Sequence, residues 1–169
     1  LEAAQKLGRD YSRLVVFSSL SKRSNVPGMR SGFVAGDAKI LEQFLLYRTY
    51  HGCAMSPAVQ AASIAAWNDE AHVIENRRLY AEKFKRVTPM LEGLLAVEMP
   101  DAAFYLWARS KESDTETAIR LYRDLNITVL PGSFLARDAH GINPGAGRVR
   151  MALVAGVDEC LEAAHRIAA

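Results

Sequence analysis

The sequence predicts an α/β protein built in two parts joined by a long helix, and three observations carry that prediction. A short apolar run, Leu14-Val15-Val16-Phe17, opens into a polar, Gly/Pro-bearing stretch from Ser18 to Gly28, and Phe33-Val34-Ala35 follows: strand, functional loop, strand. The middle of the chain then carries apolar residues at helical spacing. Beyond Val97, short β-prone runs alternate with amphipathic stretches, as a small α/β lobe requires. With 169 residues, 50% of them apolar, the chain can bury a sizeable core.

Each element has a local reason. Leu1, Ala4 and Leu7 read as the tail of a helix stopped by Gly8, so the sequence looks cut from a longer chain. Asp37 can cap a helix carried by Ile40, Leu41, Phe44 and Leu45 up to Gly52, with a loop from His51 to Ser56. Ser56-Pro57 is a cap followed by proline at the first helical position, and Asn68-Asp69 starts the next helix. That helix uses Val73, Tyr80, Phe84, Val87 and Leu91, with a break or bend expected near Pro89. Phe104 to Trp107 reads as a strand, with its aromatics in the small-lobe core. Ser113 with Glu116 forms a capping box, Ile127 to Leu130 is a strand stopped by Pro131-Gly132, Val149 to Val154 is another, and Asp158 begins a closing helix. The expected division is 1–80 and 81–169.

The net charge of +2 is scattered, without the basic block or aromatic-interleaved stripe that tracks a nucleic-acid backbone, so no nucleic-acid partner is expected. No apolar run is long enough to cross a bilayer, and no membrane partner is expected. Cys53 and Cys160 lack metal-type spacing, which argues against a metal site or a disulfide framework and fits a reducing cytoplasm. The histidines, His72 included, read as isolated.

The stretch Ser19-Leu20-Ser21-Lys22-Arg23-Ser24-Asn25-Val26-Pro27-Gly28-Met29-Arg30-Ser31-Gly32 concentrates the chemistry. A lysine amine condenses with an aldehyde cofactor only when it is held rigidly and can lose its proton, and a partly dry strand-end loop near other cations favours both. Arginine's planar fork suits a phosphate, hydroxyls beside backbone N–H groups complete an anion cradle, and Gly28 and Gly32 would let the backbone come close. A lysine in a Gly/Ser-rich loop is ordinarily a solvated surface residue. What singles out Lys22 is the joint spacing: small hydroxyl residues before it, Ser19 three places and Ser21 one place away, and a Gly-x-Arg-x-Gly ending that puts Arg30 eight places after it.

That spacing resembles the lysine signature of class I and II aminotransferases, with Ser31 where the family usually has alanine or an aliphatic residue. The resemblance extends over nearly the whole chain, including Phe104-Tyr105-Leu106-Trp107 and Pro131-Gly132-Ser133-Phe134. It implies the C-terminal part of a fold-type-I pyridoxal-phosphate-dependent transferase: the end of the large-domain sheet, a linking helix and a small α/β domain. It further implies that Lys22 carries pyridoxal 5'-phosphate as a Schiff base and shuttles a proton, and that Ser19 and Arg30 bind the phosphate. The partners implied are amino acid and 2-oxo acid substrates and, for a full-length protein, a homodimer.

In Gly147-Arg148-Val149-Arg150-Met151-Ala152, the apolar residues alternate onto one strand face and the two arginines share the other. A charged strand edge is the simplest reading of that pattern. The resemblance instead places Arg150 where the family grips the substrate α-carboxylate, leaving Arg148 as a candidate for a second carboxylate. The family's acid on the pyridine nitrogen, its ring-stacking aromatic and its Asn/Tyr pair precede the lysine and have no counterpart between Leu1 and Asp10, so this stretch alone is expected to be inactive. A lyase or synthase on the same scaffold would keep the same lysine and arginines, and a non-catalytic ligand-binding domain of a regulator would use the fold without turnover.

Overall fold

A computed structural model describes residues 1–169, which divide into two compact units, Leu1–Asn76 and Arg77–Ala169. The division falls inside one helix.

The first unit begins with helix α1 (Glu2–Lys6) and strand β1 (Val15–Ser19). The polar stretch expected as a loop instead coils into a four-residue helix α2 (Leu20–Arg23) and a 3-10 turn (Pro27–Met29) before strand β2 (Gly32–Gly36). The strands pair antiparallel from Val15↔Gly36 to Ser19↔Gly32. Helix α2 forms because Leu20, fully buried, anchors its start, while the amides of Ser24 and Val26 both donate to the Leu20 carbonyl. Helix α3 (Ala38–His51) is capped by Asp37, whose side chain accepts from the Lys39 amide at 2.9 Å. Helix α4 (Pro57–Asn68) has Pro57 at its first position and Ser56 accepting from the Val59 amide. Both starts follow from residues within one turn of the cap, which is why they were readable.

Helix α5 (Ala71–Leu91) begins where Asp69 accepts from the Ala71 amide at 2.9 Å, and it runs through Pro89 to end two residues later. The expected break near Pro89 becomes a proline tolerated in the last turn. In the second unit, strands β3 (Tyr105–Arg109), β4 (Leu130–Pro131) and β5 (Arg148–Ala152) form an antiparallel sheet in the order β3-β5-β4. The strand expected at Ile127 to Leu130 shrinks to two residues and includes Pro131. It lies at the sheet edge, where a proline lacking an N–H does no harm. Strand β5 likewise stops at Ala152 rather than Val154.

Helix α6 (Asp114–Leu125) forms half of the expected capping box: Ser113 Oγ accepts from the Glu116 amide at 3.2 Å, while the Glu116 carboxylate accepts from the Ser113 hydroxyl at 2.8 Å and not from its backbone amide. Its C-terminal cap, Asn126, is left-handed. Helix α7 (Gly132–Leu135) follows β4 and helix α8 (Val157–Ala168) closes the unit. Leu106, Ala108, Val149 and Met151 of the sheet pack with Phe84, Val87 and Leu91 of α5, Leu121 of α6 and Cys160 and Ala164 of α8. Each fully buried Leu or Val here contributes roughly 1.5–3 kcal/mol of transfer free energy. No helix is long and apolar enough to cross a membrane.

Candidate functional site

In the first unit, Ser19, Lys22, Arg30 and Gly32 line one depression of about 1000 Å3, which Arg48 and Met55 also border. Ser19 ends β1, Lys22 is the third residue of α2, and Arg30 follows the 3-10 turn in a left-handed conformation (φ 49°, ψ 38°). A non-glycine residue there costs on the order of 1 kcal/mol and persists only where the surroundings impose it. Here the Arg30 guanidinium donates back to the Pro27 carbonyl at 2.9 Å, and its amide donates to the same oxygen at 3.3 Å. Lys22 is exposed on this chain, so the dry surroundings expected for it are not supplied by these residues.

Gly32 is needed where it stands, because an added Cβ would lie 2.7 Å from the Ser18 carbonyl oxygen and 3.1 Å from Ser19 Cβ. Gly28 differs from expectation: a Cβ there would meet nothing within 4 Å. The unusual Ser31 has a partner instead of a solvent face. It is 3% exposed, with its hydroxyl 2.8 Å from that of Ser63, which lies 2.6 Å from the Val59 carbonyl oxygen. The carbonyl can only accept, so the Ser63 proton goes to Val59 and the Ser31 proton serves Ser63.

Two residues flanking Lys22 are more engaged than the sequence suggested. Arg23 reaches the carbonyls of Ala66 (2.7 Å), Trp67 and Asp69 (both 3.3 Å) at the end of α4, pairs with Glu70, and lies over the Trp67 ring at 5.0 Å. Ser24, 6% exposed, sits 2.8 Å from His72 Nε2, and His72 Nδ1 is 2.6 Å from Asp69 Oδ2. His72 is therefore not isolated. That His72 hydrogen bond, reinforced by the Ala71 amide, holds the Asp69 carboxyl below its usual value. The three-residue spacing of Asp69 and His72 at a helix start is a local signal that could have revealed that pair, whereas Ser24 lies 48 residues from His72 and leaves none. His51 stacks on Tyr47, ring centroids 4.5 Å apart, and Arg48 holds the following loop by donating to the Cys53 carbonyl at 3.0 Å.

In the second unit, β5 puts Val149 and Met151 into the core and Arg148 and Arg150 onto the opposite face. Arg150 pairs in register with Trp107, and its guanidinium stands over Tyr105 at 4.8 Å and Phe104 at 5.4 Å. Tyr105 and Trp107 thus face the arginines, and Leu106 and Ala108 take the core positions expected of the aromatics. The ring contacts hold the guanidinium plane, while the buried Arg150 Nε has no protein acceptor. Arg148 lies opposite Arg109, with Nη1 3.5 Å from the Trp107 carbonyl oxygen, too long to hold it firmly.

The strand's start is set by Asp114, which the sequence reading passed over between Ser113 and Glu116. The carboxylate, 5% exposed, accepts from the Ser133 amide at 2.7 Å and the Gly147 amide at 3.4 Å. Beside it, Gly132 and Gly145 touch backbone to backbone: a Cβ on either would lie within 2.3 Å of the other's carbonyl oxygen.

The fold is the C-terminal part of a fold-type-I transferase, as its structural neighbours show. A family model described as aminotransferase class I and II matches residues 3–167, and the chain belongs to that family. An aminotransferase from Neisseria meningitidis is 60% identical with a TM-score of 0.88, over 98% of this chain and 42% of that one. A probable N-succinyldiaminopimelate aminotransferase from Thermus thermophilus is 31% identical (TM-score 0.79), over 94% and 42%. Among curated relatives, a probable aminotransferase from Mycobacterium tuberculosis is 38% identical over 92% of this chain and 35% of its own length. An LL-diaminopimelate aminotransferase from Syntrophobacter fumaroxidans is 34% identical over 90% and 39%. The chain spans about two fifths of the length of these relatives.

Proposed function

We propose that the whole protein is a cytoplasmic, homodimeric pyridoxal-phosphate-dependent aminotransferase that exchanges an amino group between glutamate/2-oxoglutarate and an amino acid bearing several carboxylates, N-succinyl-L,L-diaminopimelate. The observation that carries this reading is the convergence of Ser19, Lys22 and Arg30 on one depression, with Gly32 keeping its wall free of a side chain. The donors suit the cofactor: a hydroxyl and a forked cation for a phosphate, and a primary amine for an aldehyde. Bound there, pyridoxal phosphate supplies an electron-withdrawing ring that stabilises negative charge developing at a substrate α-carbon.

Ser19 and Arg30 hold the phosphate, and the strained Arg30 backbone keeps the guanidinium at the turn between α2 and β2. Lys22 would hold the cofactor through its amine, and the same amine would move a proton at the substrate α-carbon. Arg150 grips the α-carboxylate. Its plane is already fixed by Tyr105 and Phe104, and its buried Nε is a donor without a protein acceptor. Arg148, on the same face and weakly held, suits a second carboxylate. The substrate class rests on that pair, on the likeness of the run from Ser19 to Asp37 and the ending from Asn143 to Ala155 to bacterial succinyldiaminopimelate aminotransferase, and on relatives named for diaminopimelate substrates.

The test is the visible absorption of the full-length protein with pyridoxal phosphate, before and after borohydride, for wild type and Lys22→Ala. Glutamate and a panel of acceptors are then added. A lysine-dependent, reducible band that glutamate converts supports the reading, and the acceptor panel identifies the substrate. A protein with no reducible adduct at Lys22 refutes it.

A further inference from the structure

Lys22 sits in a helix of four residues, too short to hold itself in place. Its first residue is fixed by the buried Leu20, but its last turn is fixed by Arg23 and by a chain of hydrogen bonds leading away from the depression. The Ala71 amide donates to Asp69 Oδ1 (2.9 Å), Asp69 Oδ2 meets His72 Nδ1 (2.6 Å), and His72 Nε2 meets Ser24 Oγ (2.8 Å). With the carboxylate accepting from Nδ1–H, the neutral ring presents Nε2 as an acceptor, and the Ser24 hydroxyl donates to it. Arg23 Nη1, 3.4 Å away, faces the same oxygen as a donor. The proton directions are mutually consistent from end to end.

Serine, histidine and aspartate in this order are also the arrangement of a hydrolytic nucleophile. Burial decides against that use: Ser24 is 6% exposed and does not line the depression that Lys22, two residues away, does line. A buried hydroxyl held by an imidazole that is itself held by a carboxylate is a rigid strut. It ties the start of α5 to the end of α2.

We propose that His72, oriented by Asp69, is a positioning residue for Lys22: through Ser24 it fixes the end of the lysine-bearing turn, so that the amine meets cofactor and substrate in one place. The proposal rests on Lys22 being the cofactor lysine. Group transfer is sensitive to such placement, with a misplacement of about 1 Å costing up to a hundredfold in rate.

The experiment uses the full-length protein as Ser24→Ala, His72→Ala, His72→Gln and the double Ser24→Ala/His72→Ala variant, with Lys22→Ala as reference. In the apo-protein, hydrogen exchange at the Ser24 and Val26 amides rises about five- to tenfold in His72→Ala, the effect of one lost hydrogen bond. In the loaded protein, conversion of the Lys22-dependent visible band by saturating L-glutamate slows about tenfold or more, while the half-saturating concentration stays within about twofold. The double variant is no slower than His72→Ala, because both break one chain. His72→Gln, whose amide still reaches Ser24, recovers part of the rate. Faster exchange with an undiminished conversion rate would make the strut merely structural and overturn the proposal, as would unchanged exchange. A wild type without a Lys22-dependent band fails differently: it removes the underlying reading, and the proposal with it.

Discussion

Asp114→Asn isolates the post that sets the start of β5. The native carboxylate accepts two backbone amides, Ser133 at 2.7 Å and Gly147 at 3.4 Å, one at each end of the loop between β4 and β5. Asparagine has one acceptor oxygen. If that oxygen keeps Ser133, its NH2 group confronts the Gly147 N–H, leaving two donors facing each other in a site that is 5% exposed. Orphaning a buried donor costs about 1–3 kcal/mol, and the surviving bond loses its charge assistance. We expect a loss of about 2 kcal/mol, read as a lower urea midpoint with unchanged slope in far-UV circular dichroism. The pH dependence provides the stricter test. Burial alone would raise the Asp114 carboxyl, but the hydrogen bonds from Ser133 and Gly147 outweigh it and hold it below its ordinary value. A carboxyl depressed in the folded state stabilises fully above its unfolded value of about 3.9, and that contribution fades as pH falls through the folded value. The wild-type advantage should hold from pH 7 to about 5 and shrink below about 4. A difference under about 0.5 kcal/mol at pH 7, or one that does not shrink in acid, would refute the argument.

Three further outcomes follow from the geometry. Ser31→Ala should cost about 1 kcal/mol by removing the partner of the Ser63 hydroxyl, and adding Ser63→Ala should cost less than its single effect; strict additivity in that cycle would contradict the pairing. Gly32→Ala should force β2 away from β1 at the Ser19↔Gly32 pair and weaken pyridoxal phosphate binding by about tenfold or more, measured by equilibrium dialysis; unchanged affinity would mean that the close approach to Ser18 is not required. Burial pushes the Cys160 thiol up, so it should resist thiol reagents in the folded protein and react only on unfolding, with peptide mapping separating it from exposed Cys53.

How much could be read from the sequence depended on the distance between partners. Helix starts at Asp37, Ser56-Pro57 and Ser113 were legible because capping is settled within one turn. Alternation along Arg148 to Met151 was legible because a strand shows its two faces residue by residue. The lysine segment was legible as a family resemblance, since its spacing is local. What stayed hidden joins residues far apart: Ser31 with Ser63 at a separation of 32, Ser24 with His72 at 48, Asp114 with Gly147 at 33. The strand at Ile127 was overcounted because β-prone residues become a strand only where a neighbour offers hydrogen bonds, and β5 offers them to Leu130 and Pro131 alone. Gly28 shows the same limit. Its presence in a motif says nothing about which backbone lies opposite.

Strand β5 lies in the middle of its sheet, with two guanidinium groups on one face and Val149 and Met151 on the other. Sliding it by a single residue would send both charges into the core and both apolar side chains out. Each buried, unpaired cation costs several kcal/mol, and two would consume most of the roughly 5–15 kcal/mol by which a domain is stable at all. A misaligned copy is therefore an unfolded copy, and quality control that removes unfolded chains also removes every chain whose arginines point the wrong way. The alignment of the grip is inherited from the act of folding and needs no separate safeguard.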